Sequence, residues 1–193
     1  MAFVQLNISS YDTFKSQVLG NGYDVDGYYG YQCWDLGAEL WGSTGNYPYP
    51  YLQTGPQGYV LEAWTVSKAV NLGNDFDAIY SINDVKRGDM LIFGPGGGGY
   101  FGVTGHNTFA DEDYNGSGWI NGMGQNQENA SPVFGHVTTI NRMPVDSFLG
   151  AFRYKGWSGG PTPPTPTSRK YRKKFPWYIY NNRFSSTRYR NVV

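Results

Sequence analysis

Reactive side chains are scarce in this chain of 193 residues, which has one cysteine, Cys33, and two histidines, His106 and His136. A single cysteine excludes an internal disulfide framework. No apolar run approaches the ~20 residues that a membrane-spanning helix needs. The start, MAFVQLNISSYDTF, has no basic stretch followed by an apolar one, so we expect no secretory signal. Glycine, tyrosine and tryptophan are plentiful, which is typical of a loop-rich globular domain with strands and few helices.

Charge divides the chain into two parts, although the formal net charge is zero. All 15 acidic residues but only seven of the 15 basic residues precede position 169, which gives that part a net charge of −8. The other eight basic residues lie in 169–193, together with seven aromatic residues. The Pro/Thr-rich stretch before them cannot form a core. We therefore predict a domain at 1–157, a linker at 158–168 and a basic aromatic tail at 169–193.

An acidic loop, DVDGYYGYQCWD, spans 24–35. Asp24, Asp26 and Asp35 hold places 1, 3 and 12 of these residues, which is the ligand spacing of a helix-flanked calcium loop. Such a loop normally has glycine at place 6, where this chain has Tyr29, so the match is partial. The three aspartates are candidate calcium ligands.

The lone cysteine lies inside the same loop. Leu36, Leu40 and Trp41 share one face of a short helix, which places Cys33 at or near the N-terminus of that helix. Aligned peptide dipoles at such a position favour the thiolate, the reactive form of the side chain. The alternative is a buried structural cysteine, against which the polar Gln32 and the acidic loop argue. The position predicts a nucleophile.

The order of the elements predicts the fold class. Helical patterns occur at 11–19, after a capping serine, after Cys33, and loosely at 60–70. Residues 75–82 are expected to form a connector. Apolar runs of strand length then follow at 85–93, 100–110, 119–126, 134–140 and 147–154, separated by turns. Helices followed by an antiparallel sheet make an α+β fold.

A cysteine nucleophile needs a base, and the base usually needs a group that orients its ring. His106 follows a glycine-rich loop in VTGHNTF, and Asn126 lies 20 residues further on in GQNQ. An asparagine oxygen can accept the second imidazole N–H, as in a Cys-His-Asn triad. The alternatives are a surface histidine and an asparagine used in a turn. His136, in FGHV, is the competing base, although it follows Asn126 in the sequence.

Five motifs in order resemble the CHAP domain, the cysteine- and histidine-dependent amidohydrolase/peptidase family of phage endolysins and tail-associated lysins. They are DGYYGYQCWDL, RGDMLIF, TGH, GQN and FLGAFRY, and the resemblance covers about residues 1–157. It implies a papain-like α+β fold, in which N-terminal helices that supply the cysteine pack on an antiparallel sheet that supplies the histidine.

The resemblance also implies residue roles. Cys33 would be the nucleophile, His106 the general base and then acid, and Asn126 the orienting group. Gln32 and the backbone N–H of Cys33 would stabilise the oxyanion. Where some members of the family have a glutamate two places before the asparagine, this chain has Gly124.

Several phage members of the family bind calcium beside the nucleophile. The similar pattern here implies carboxylate ligands from Asp24, Asp26 and Asp35, and backbone oxygens of Tyr28 and Gly30. The ion would hold the loop that positions the cysteine rather than polarise the substrate.

The implied activity is hydrolysis of an amide bond in bacterial peptidoglycan, by a muramoyl–alanine amidase or an endopeptidase. The tail would bind anionic wall polymers, with nucleic acid as the less favoured partner and a partly ordered, solubilising tail as the alternative. An endolysin without a signal would wait in the host cytoplasm before it reaches the wall, whereas a tail-associated lysin would belong to the virion. A calcium-stabilised wall-binding or structural module without catalysis is the competing function.

Overall fold

The computed structural model describes residues 4–44, 52–70, 73, 75–97, 101–127 and 130–157, without the side chains of 69 and 70. The predicted linker at 158–168 and tail at 169–193 lie outside the described residues, so the division into domain, linker and tail stays a prediction. Within the described part of the chain, no helix is both long and apolar enough to cross a bilayer.

Three helices precede the sheet. They are α1 (Tyr11–Val18), α2 (Cys33–Thr44) and α3 (Ala63–Val70), the last preceded by a 3₁₀ turn at Val60–Glu62. The hydroxyl of Ser10 caps α1 by accepting the backbone N–H of Thr13. Helix α2 begins at Cys33, so the predicted position of the cysteine at a helix N-terminus is confirmed.

Six strands form one antiparallel sheet in the order β1-β6-β2-β3-β4-β5. This confirms the predicted α+β class. The strands are β1 (Phe76–Ile79), β2 (Met90–Phe93), β3 (His106–Ala110), β4 (Trp119–Gly124), β5 (Thr139–Pro144) and β6 (Phe148–Tyr154).

Two strand predictions were wrong. The segment 75–82 is not merely a connector, because it contains β1, whose backbone pairs with β6. The strand expected at 134–140 begins only at Thr139, because the backbone before it turns to pair with the acidic loop: Tyr31 and Gly135 form a parallel bridge. Both errors arise from pairing partners that lie far away in the sequence.

Apolar residues on the two faces of the sheet belong to two clusters. Met90 and Ile92 pack in the cluster that includes α1 and α2, whereas Leu91 and Phe93 pack in a second cluster on the other face. This alternation follows from the two-residue period of a strand.

Helix α2 lies close to β3 at Gly37. A Cβ atom at that position would overlap Nδ2 of Asn107, so any other residue would require that side chain to move. The close packing brings the helix that carries the cysteine against the strand that carries His106.

Candidate active site

Cys33 is half-buried at the start of α2. Burial raises the pKa of its thiol to about 11, while the backbone N–H of Asn107 partly offsets this rise. That effect requires the sulfur to face the backbone of β3, one residue after His106. The thiolate predicted from the helix N-terminus is therefore not the resting form, because desolvation outweighs the helix dipole.

His106 is the first residue of β3, and 7% of its surface is exposed. Its ring lies parallel to that of Phe101, with centroids 5.4 Å apart. Burial lowers the pKa of His106 to about 4, against the opposing effect of its hydrogen bond to Gln127. The imidazole is thus neutral near pH 7, as a general base must be.

No hydrogen bond joins the Cys33 sulfur to the His106 ring among the described residues. The sulfur faces the backbone of Asn107, the residue that follows His106 in β3. Hydrogen bonds of this kind are often long in substrate-free enzymes and shorten in the substrate complex.

Among the described residues, no hydrogen bond joins Asn126 to His106, so the orienting role expected for Asn126 is not seen in this structure. Its Nδ2 donates to Oε1 of Gln32 at 2.7 Å and to the carbonyl of Ser131 at 3.0 Å. Its Oδ1 accepts the backbone N–H of Ser131 at 2.7 Å. The backbone leaves β4 here with a left-handed turn, φ 55° at Asn126, which directs this side chain toward the acidic loop.

Gln127 is the residue that reaches His106, with Oε1 3.3 Å from Nε2 of the ring. The sequence motif GQNQ contains this second amide, but nothing in its spacing distinguishes Gln127 from Asn126. Only the fold shows which of the two side chains turns toward the histidine.

Gln32 is also placed differently from the expectation. Its Nε2 donates to the carbonyl of Tyr29 at 2.6 Å and to that of Ser131 at 3.3 Å. Since an amide nitrogen carries two hydrogens, both are engaged and neither points at a substrate oxyanion. The side chain instead joins the acidic loop to the segment after β4.

His136 belongs to the same junction through its backbone. Its backbone N–H donates to Tyr31 and its carbonyl accepts the N–H of Asn126. Its ring Nδ1 is buried and has no hydrogen-bond partner among the described residues. The fold thus uses the backbone of His136 as a bridge, whereas only His106 adjoins the residue that faces the cysteine sulfur.

Asp24, Asp26 and Asp35 converge as the sequence spacing predicts. Each offers a carboxylate oxygen within 4.8 Å of the others. Calcium holds its oxygen ligands at 2.3–2.6 Å, so two ligands of one ion lie at most about 5 Å apart. The three side chains therefore fit a single calcium ion.

The buried member of this cluster is Asp35, whose oxygens accept the backbone N–H groups of Val25 and Gln32. Burial raises the pKa of Asp35 to about 7, with the nearby carboxylates of Asp26 and Asp24 contributing to the rise and the two backbone hydrogen bonds opposing it. A cation would relieve this repulsion. The backbone oxygens of Tyr28 and Gly30 stay predicted ligands; that of Gly30 already accepts the N–H of Gln32 and keeps a second lone pair.

No protein-family model matches this chain, but known proteins resemble it in sequence and in fold. The sequence is 31% identical over 159 residues to a protein named D-alanyl-L-alanine endopeptidase from Streptococcus phage B30. The match covers 80% of this chain and 32% of that protein, so the chain spans about a third of its relative's length.

The solved structure of the wild-type endolysin LysIME-EF1 resembles the fold with a TM-score of 0.57 and 26% sequence identity. The likeness covers 76% of this chain and 63% of that one. That this chain belongs to the CHAP family in particular stays a prediction. The chain is thus related to a phage endopeptidase and to an endolysin, and the resemblance to phage lysins inferred from its motifs is confirmed.

Proposed function

We propose that this chain hydrolyses an amide bond of bacterial peptidoglycan, with Cys33 as the nucleophile and His106 as the base. The observation that carries the proposal is the packing of the α2 N-terminus on β3. Cys33 is the only cysteine of the chain, and this packing directs its sulfur toward the β3 backbone next to His106. The names of the two related proteins supply the substrate class.

The protonation states suggest how the reaction begins. Near pH 7 the Cys33 thiol and the His106 imidazole are both neutral, because burial raises the pKa of the thiol and lowers that of the imidazole. The His106 ring takes the thiol proton as the sulfur attacks the amide carbon, so that the thiolate forms during the attack. The backbone N–H of Cys33, at the free end of a helix, is the proposed donor to the oxyanion.

The remaining steps restore the enzyme. The tetrahedral adduct collapses to a thioester as the imidazolium gives its proton to the departing amine. Water then attacks the thioester, His106 accepts a proton from that water, and the sulfur leaves and regains its proton. The products are a carboxylic acid and an amine.

The name of the phage B30 relative favours a peptide bond between D-alanine and L-alanine over the muramoyl–alanine amide. Mass spectrometry of the fragments released from purified walls separates the two activities. An endopeptidase of this kind leaves new D-alanine carboxyl termini while the stem peptides stay attached to the glycan, whereas an amidase releases whole stem peptides from the glycan.

We propose that Asp24, Asp26 and Asp35 hold a calcium ion, with Tyr28 and Gly30 contributing backbone oxygens. Bound calcium supplies charge that fixes the loop. Asp35 accepts the backbone N–H of Gln32, the residue before the nucleophile. An ion that fixes the Asp35 carboxylate therefore also fixes the backbone next to Cys33.

Substitution of the nucleophile tests the proposed function. We expect Cys33→Ala to reduce wall lysis by more than about 1,000-fold, because no other group replaces the sulfur. His106→Ala should reduce lysis comparably, whereas His136→Ala should retain a measurable rate. Zymography on cell walls gives the activity, and circular dichroism checks that each variant is folded. If Cys33→Ala lyses walls at the normal rate, Cys33 is not the nucleophile. If the wild-type protein binds walls without lysing them, a non-catalytic wall-binding or structural module replaces the enzyme.

A further inference from the structure

We propose that Gln127 is the positioning residue for His106, and that the missing side chain at Gly124 makes room for it. The inference rests on the proposed function, since orienting the ring matters only if His106 is the base. The Gln127 amide and the His106 ring are both buried, with 8% and 7% of each residue exposed. Water therefore competes little for their contact.

Surrounding groups fix which end of the Gln127 amide faces the ring. Its Nε2 donates to the carbonyls of Gly122 and Thr139, each at 2.9 Å. Its Oε1 accepts the hydroxyl of Thr108 at 2.7 Å. A flipped amide would place its oxygen against two carbonyl oxygens and lose both bonds. The oxygen, not the nitrogen, must therefore face His106.

This orientation determines the tautomer of the histidine. An amide oxygen only accepts hydrogen bonds, so the Nε2 atom that lies 3.3 Å from it must carry the ring hydrogen. The neutral ring then leaves Nδ1 without a proton. Nδ1 is the nitrogen able to take the proton of the Cys33 thiol, and Gln127 keeps it in that state.

Gly124 leaves the space that this amide fills. A Cβ atom built there would lie 2.7 Å from Oε1 of Gln127 and 3.0 Å from Oγ1 of Thr108. The backbone of Gly124 lies outside the left-handed region, so its conformation accepts other residues. The Gln127 amide is therefore what excludes a side chain at position 124. A side chain at 124 and the amide of Gln127 would occupy the same space beside His106.

The first test reads the tautomer without any assay of activity. We expect ¹⁵N NMR of histidine-labelled protein to show His106 as the Nε2–H form at pH 7. Assignment is direct, because the chain has two histidines and His106→Ala removes one signal. Gln127→Ala should give a mixture of tautomers. Asn126→Ala is the matched control, since that amide bonds Gln32 and Ser131, and should leave the His106 tautomer unchanged.

The second test removes the side chain at position 127 and places one at position 124 instead. Gln127→Ala should lower kcat by about 100-fold, the scale of a misplaced catalytic group. Adding Gly124→Glu to Gln127→Ala should recover at least tenfold, because the new carboxylate enters the vacated space and accepts from the ring. A carboxylate also favours the imidazolium, so the acidic limb of the pH–rate profile should move to higher pH.

An unchanged tautomer in Gln127→Ala overturns the proposal, as does a folded double variant with neither recovery nor a shifted acidic limb. These outcomes differ from failure of the hydrolase proposal. Normal lysis by Cys33→Ala would exclude Cys33 as the nucleophile, yet the NMR experiment would still report whether Gln127 sets the tautomer of the His106 ring.

Discussion

Burial sets the protonation of the His106 ring. An exposed imidazole gains a proton near pH 6.5, but the enclosed ring cannot solvate the positive charge, and its pKa falls to about 4. Between these values the unfolded chain binds a proton that the folded chain excludes. His106 therefore makes the fold less stable as pH falls from about 6.5 to 4, and adds no further change below that.

A titration of this ring gives the first residue-scale prediction. We expect the His106 NMR signals to shift with a midpoint near pH 4, whereas a midpoint at the usual value near 6.5 would contradict its burial. In excess calcium, lysis should persist at pH 5, because the base is still neutral there. An ordinary histidine would be mostly protonated at that pH and unable to accept the thiol proton.

Among the elements, the segment after β4 connects the parts of the site. Gln125 is fully buried and exchanges hydrogen bonds with the backbone N–H and carbonyl of Tyr23, before the acidic loop. Asn126 bonds Gln32, and Gln127 faces His106. Three consecutive amides thus connect the acidic loop, the residue before the nucleophile, and the base.

The junction between the acidic loop and this segment depends on glycine. Gly135 has φ 62°, and a Cβ there would overlap the carbonyl oxygen of Tyr31. Gly116 has a similar φ of 83° but nothing within 4 Å of its Cβ position. The two glycines therefore differ in contact rather than in backbone conformation.

We expect Gly135→Ala to lower the free energy of unfolding by about 1–3 kcal/mol more than Gly116→Ala, because an inserted methyl must displace backbone. Both variants also bear the left-handed strain of about 1 kcal/mol. Urea denaturation measures the difference. Equal losses would show that the Tyr31–Gly135 bridge is not tight in solution.

The acidic loop gives the metal prediction at the same scale. EDTA should lower lysis, and added calcium should restore it. Asp24→Asn keeps an oxygen for the N–H of Gly27 but removes a charge from the cluster. We expect this variant to bind calcium at least about tenfold more weakly, on the scale of losing a group that supports a metal site. Its melting temperature in EDTA should not fall, since repulsion with the other two aspartates is reduced.

The matched control is Asp146→Asn, an exposed carboxylate between β5 and β6 that lies outside the cluster. It should leave calcium affinity unchanged, as measured by isothermal titration calorimetry. Full lysis by wild-type protein stripped of calcium would remove the metal from the proposed function.

For the whole molecule, the separation of charge predicts that the acidic part and the basic stretch have different roles. The basic stretch 169–193 lies outside the described residues and has eight Lys and Arg residues and no acidic residue. We propose that it holds the acidic domain on anionic wall polymers. Truncation after Ser168 should weaken binding to cell walls, most clearly at low salt, while hydrolysis of a small soluble peptide stays unchanged. Equal sedimentation of both forms with walls would contradict this role.

Local signals in the sequence determined much of this protein. A capping serine and apolar spacing predicted α1, and the same spacing placed Cys33 at the start of α2. The three aspartates were found from their spacing alone because a single tight loop brings them together. Such features depend on neighbours within about a dozen residues, and the chain specifies these directly.

The tertiary structure decided what depends on distant partners. Strand β1 forms because β6 pairs with it from more than 70 residues away. The proton on Cys33 depends on how the fold buries the start of α2, where desolvation exceeds the effect of the local helix dipole. Asn126 and Gln127 are neighbouring amides with nearly the same chemistry. Only the turn after β4, and the space left by Gly124, direct one to the acidic loop and the other to the histidine.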